Sequence, residues 1–129
     1  MPQIKIYGLR NNIEPKRFAL SHTIHAALIE SLGTPNAKQF QRFIILEPEN
    51  FIYPSDRTAD YTIIEISMFE GRSVETKKKL IRTLQQKITK TTDIKPEDIE
   101  ITLFETPKTN WGIRGVTGDE LELDYRVDV

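Results

Sequence analysis

Pro2 directly follows Met1, so removal of Met1 would leave a secondary amine at the head of the chain. Such an amine titrates near neutrality when an apolar pocket and a neighbouring cation disfavour its charged form. Neutral, it is a general base that can take a proton from a carbon beside a carbonyl and return it elsewhere; charged, it is a general acid. Both roles stay open at the level of sequence. Retained Met1 would turn the nitrogen into an amide and abolish either. Arg72 falls at the start of an expected helix, where the positive end of the helix dipole disfavours a cation unless an anion compensates. Its planar fork suits a carboxylate held through two bonds. Trp111 reads equally as core packing or as a pocket wall. His22 and His25, three apart on an expected helix, lack a third ligand at a telling spacing, so no metal is expected. Ser21 beside them lacks the strained turn of a hydrolase nucleophile.

The composition narrows the alternatives. With no cysteine there is no disulfide framework, thiol nucleophile or Cys-based zinc site. A net charge of −1, spread along the chain, removes the electrostatic footprint of a nucleic-acid binder. The basic run Lys77, Lys78 and Lys79 would wrap around a helix and reads as a solvated face. No apolar stretch is long enough for a membrane span and no signal-peptide core opens the chain, so a soluble, cytoplasmic protein is expected.

The 129 residues suit one domain. Residues 2–9 alternate as a strand carrying Pro2 at its tip. After an Asn11-Asn12 turn, Pro15 suits the first turn of a helix with Leu20, Ile24, Leu28 and Leu32 on one face, ended by Gly33 and Pro35. Residues 40–46 and 61–69 read as strands, separated by a long connection bearing Phe51 and Tyr53, either pocket-lining or turned to a neighbouring subunit. Ser73 is a natural cap for a second helix with Val74, Leu80, Ile81, Leu84 and Ile88 inward, ending near Thr92. Residues 98–104 form a fourth strand. The alternation of Leu121, Leu123, Tyr125 and Val127 suggests a closing hairpin or edge strand.

The two halves, about 2–47 and 60–107 with a tail over 108–129, echo each other. Two right-handed βαβ units would give an α/β fold (α+β in some schemes): a four-stranded mixed sheet with both helices on one face. The near-continuous apolar run around Ile63, Ile64 and Ile66 requires burial of the other face as well. A closed oligomer, a homotrimer, is expected.

Phe69-Glu70-Gly71-Arg72-Ser73, followed by Glu75, Lys77, Leu80 and Ile81, resembles the strand-to-helix junction of 4-oxalocrotonate tautomerase. The run Asn110-Trp111-Gly112-Ile113-Arg114-Gly115 is similar to that family's glycine-rich segment after its last strand. The layout as a whole resembles the fused βαβ-βαβ members of the tautomerase superfamily, including malonate semialdehyde decarboxylase. The resemblance implies an enzyme without a cofactor: Pro2 in an apolar pocket, Arg72 holding a carboxylate, Trp111 over the site, and small keto, enol or unsaturated acids as substrates. Its leading implication is a tautomerase acting through Pro2 as base. The alternatives are a decarboxylase or hydratase of a three-carbon acid through a charged Pro2, or an oligomeric member without catalysis. Lys38 stands where the decarboxylase has an aspartate, Glu70 where it has the first of two arginines, and Glu100 where the tautomerase has a second arginine. Lys38, Arg42 and Arg114 are therefore the remaining candidates for contacting substrate.

Overall fold

The computed structural model describes residues 2–129, so the fate of Met1 lies outside it. Strand β1 (Gln3–Leu9) is followed by helix α1 (Arg10–Leu32), strands β2 (Gln41–Leu46) and β3 (Thr62–Phe69), helix α2 (Val74–Thr92) and strand β4 (Ile99–Thr106). The sheet order is β2-β1-β3-β4. The outer pairs are parallel and the central β1–β3 pair is antiparallel. This is the mixed four-stranded sheet that two fused βαβ units produce.

Period-2 alternation decides the two faces. Ile4 and Ile6 on β1 stand opposite Ile66 and Ile64 on β3, and these four pack with Leu20, Ile24, Leu28, Leu80, Leu84 and Ile88 of the helices into one core. The other row is only half-buried in the single chain, and there Tyr7 donates to Glu65 at 2.6 Å beside Ile63.

Helix α1 begins at Arg10 rather than after an Asn11-Asn12 turn, and Pro15 lies within it. Tertiary contacts extend it backward. Asn12 is recruited into the helix to bond the backbone of Asp60 and the hydroxyl of Thr62. Ile13 fills the space above Gly8, where a Cβ would come within 2.6 Å of its side chain. Helix α2 is capped as expected, with the Ser73 hydroxyl accepting from the Thr76 amide. Val74 is 58 % exposed and does not join the inner stripe. It is the first residue of α2, six residues before Leu80 and about 120° around the helix from it.

After β4, Gly112–Ile113 (β5) and Val116–Thr117 (β6) form a short hairpin. Its turn carries positive φ at Arg114 (53°) and Gly115 (83°), the pair of left-handed residues a tight two-residue hairpin requires. The expected closing hairpin thus lies earlier than Leu121, Leu123, Tyr125 and Val127, which form no strand. Their alternation instead turns Val127 and, partly, the other three toward the body, leaving a strap across the start of α2. An oxygen of Val129 accepts from the Ser73 amide and the Thr76 hydroxyl, each at 2.9 Å, which ties the strap down.

No described helix is long and apolar enough to cross a membrane.

Candidate active site

Pro2 is buried at the entrance to β1. Gln3 pairs with Ser67, so Pro2 arrives beside the closing residues of β3, while the Ile4 amide bonds the Phe40 carbonyl at 3.0 Å and draws the entry to β2 alongside. The chain leaving β3 reaches Arg72 through Gly71, whose φ of 134° suits only glycine. A Cβ at Gly71 would also stand 3.1 Å from the Val127 carbonyl of the strap. Glycine is required here twice, for conformation and for space.

Arg72 is 5 % exposed. Its Nη1 makes a long 3.4 Å bond to the Phe69 carbonyl, whereas Nε and Nη2 have no partner. No carboxylate neutralises it among the ion pairs of the described residues. Glu105, which acts on it through space, is itself bound to Lys77 at 2.8 Å. Burial lowers the Arg72 pKa; Tyr125 and Glu105 oppose that shift only in part. A desolvated cation with free N–H groups at a helix N-terminus is costly by itself and becomes favourable when an anion accepts those bonds.

Trp111 packs edge-on against the fully buried Phe69 ring, centroids 5.0 Å apart, and so shares its support with the backbone that holds Arg72. Lys38 and Arg114 come together around a hollow of about 190 Å³, closed by residues 121–125 of the strap. Arg42 does not join them: it is exposed and borders a separate hollow of about 220 Å³ with Gln3, Gln39, Phe40 and Gln41. Glu100 is at the opposite end of the sheet, accepting from the Tyr61 hydroxyl at 2.8 Å. Phe51 and Tyr53 pack with Tyr61 within the chain rather than lining an entrance beside Pro2. His25 contacts the Asn36 carbonyl and His22 stacks on Phe18, so the two histidines have separate surroundings.

A hollow of about 210 Å³ also opens at that opposite end, between Arg10, Asn12, Glu47 and Asp60. Arg10 is already paired with Glu14 and Glu47 and offers no free anion holder. The chemistry favours the Pro2 end.

Tyr125 is the polar residue that sequence reasoning missed. Its ring is half-buried and its hydroxyl is sealed from solvent without a hydrogen-bond partner. It lies close enough to Arg72 for charge and a side-chain hydrogen-bonding interaction to shift the pKa of each, although no well-formed bond joins the two groups. The only signal was its phase in the alternating tail.

The comparisons with known proteins agree with this architecture. Residues 38–114 match the family model described as tautomerase enzyme. The probable tautomerase YusQ of Bacillus subtilis (strain 168) is 28 % identical over 116 residues, covering 86 % of this chain and 91 % of that protein. The 2-hydroxymuconate tautomerase of Pseudomonas putida is 37 % identical over 57 residues, 44 % of this chain and 90 % of its own length, so it corresponds to about one βαβ half. A fused 4-OT solved as a symmetric trimer superposes with a TM-score of 0.77 at 20 % identity, covering 91 % of this chain and 96 % of that one. With the family model spanning more than half of its length, the chain belongs to the tautomerase family of enzymes.

Proposed function

We propose that the chain is a cofactor-independent tautomerase of small 2-keto or enol carboxylates, with Pro2 as general base once Met1 is removed and Arg72 as the carboxylate holder. The supporting observation is the buried, unneutralised Arg72 guanidinium at the same end of the sheet as the buried Pro2. A carboxylate accepting from Nε and Nη2 offsets the desolvation of the cation and fixes the adjoining carbons. Apolar surroundings and the nearby cation keep the Pro2 amine neutral. In an enol acid the amine takes the hydroxyl proton as the C=O bond forms, and the former C=C electron pair collects a proton from the same nitrogen. One residue serves both transfers, so proton balance requires no further group. Trp111 excludes water from one side. Lys38 and Arg114 supply positive charge at the mouth, with Arg42 farther out.

The half-exposed sheet face carrying Tyr7, Ile44, Ile63 and the 49 % exposed Phe104 is the surface through which three copies would assemble. The trimeric fused 4-OT supports that assembly. Such a protein works in the cytoplasm.

Ketonisation of phenylenolpyruvate tests the reading. Wild type should accelerate it above background, and Pro2→Ala should lose about 10²-fold or more. Equal rates for the two proteins would remove Pro2-dependent tautomerisation of this substrate.

A further inference from the structure

Three buried donors at one end of the molecule have nowhere to send their protons. Two belong to Arg72, at Nε and Nη2; the third is the hydroxyl of Tyr125. An Arg72 N–H can donate to the phenolic oxygen, but a guanidinium has only donors, so the phenolic proton finds no acceptor on Arg72 however the hydroxyl rotates. The neighbouring acids do not supply the missing acceptor: Glu105 is engaged by Lys77, and Glu122 and Asp124 are exposed on the outer side of the strap. Buried donors left open in this way are rare and costly. What resolves all three is a ligand with only acceptors, placing adjacent oxygens on neighbouring carbons.

We propose that Tyr125 is a catalytic residue, donating its phenolic O–H to the 2-oxygen of the substrate while Arg72 holds the adjoining carboxylate. The inference rests on the proposed tautomerase reading and supplies its second polarising group, a role that neither Glu70 nor Glu100 can fill as an anion. As Pro2 removes the enol proton, negative charge grows on the 2-oxygen, and a preorganised donor at that atom lowers the barrier. Burial raises the Tyr125 pKa, so the phenol keeps its proton at neutral pH. The strap that carries it is anchored through Val129 to Ser73 and Thr76 and packed through Val127 onto Gly71, which places Tyr125 over the residue it assists.

The test is Tyr125→Phe, which removes one oxygen and keeps the ring. On phenylenolpyruvate, kcat should fall by about 10²-fold with KM changed less than about threefold, and the thermal unfolding midpoint should hold. A kcat within twofold of wild type overturns the inference. Pro2→Ala is measured alongside: if it matches wild type, the tautomerase reading itself has failed, and a binding experiment decides the role of Tyr125. That experiment titrates oxalate, whose adjacent oxygens fit the three donors and which has no carbon-bound proton for Pro2 to move. Tyr125→Phe should bind oxalate at least about fivefold more weakly than wild type. Equal affinity, or no binding to wild type, overturns the inference.

Discussion

The two ends of the sheet are built from matching positions and treated in opposite ways. Gly33 answers to Asp93 as a left-handed helix stop, and the short turn Pro48–Asn50 answers to Lys108–Asn110, a constant offset of 60 residues. By that offset Pro2 corresponds to Thr62, Arg72 to Asn12, and Trp111 to Phe51. At the Thr62 end the corresponding residues are paired with each other. Asn12 donates to Thr62 and to the Asp60 backbone, both at 3.1 Å, and Lys16 bonds Asn12 and Asp60. Phe51 stacks on Tyr61 and packs against Tyr53, whereas Trp111 packs on Phe69. At the Pro2 end Arg72 and Tyr125 keep free donors. One end has become structural, and the other retains unsatisfied charge that a ligand can use.

Breaking the contrast at its sharpest point means removing the charge while keeping the volume. Arg72→Met should lower kcat/KM by about 10²-fold or more, since charge-assisted bonds are worth about 1.5–3 kcal/mol each. The same variant should leave stability unchanged or improve it, because a buried cation without a partner is replaced by apolar packing. Steady-state kinetics with denaturant unfolding checks both; a large loss of stability would mean that Arg72 is structural. Asn12→Ala should do the reverse, costing about 2–3 kcal/mol by orphaning buried partners while leaving kcat/KM nearly unchanged. A smaller effect is expected where the strap meets α2: Ser73→Ala should cost about 1 kcal/mol in the same unfolding measurement through loss of the helix cap.

How much of this was legible in the chain depended on how local the cause was. The strands followed from alternation, the α2 cap from Ser73, and the mixed four-stranded sheet from two βαβ units in sequence. Arg72 stood out because a cation at a helix start conflicts with the dipole, a conflict visible without coordinates. The start of α1 was misread because its causes are distant: Asn12 reaches Asp60 and Thr62 across the fold, and Ile13 depends on the absence of a side chain at Gly8. Tyr125 was passed over for a similar reason. Alternation gives the inward phase of a segment but not the residue it will cover, and the strap lies on Arg72 through contacts with Gly71, Ser73 and Thr76 rather than through strand pairing.

The central claim is that Pro2 carries a free, nucleophilic secondary amine beside a carboxylate anchor, and trapping that amine tests it most directly. An acetylenic keto acid such as 2-oxo-3-pentynoate offers an electrophilic alkyne carbon, conjugated to the keto group, on a molecule whose carboxylate Arg72 can hold. Mass spectrometry of natively expressed protein after this treatment should show one adduct, on the peptide beginning with Pro2, absent in Pro2→Ala and slowed in Arg72→Met. Retained Met1, or labelling that is indifferent to Pro2, would contradict the account.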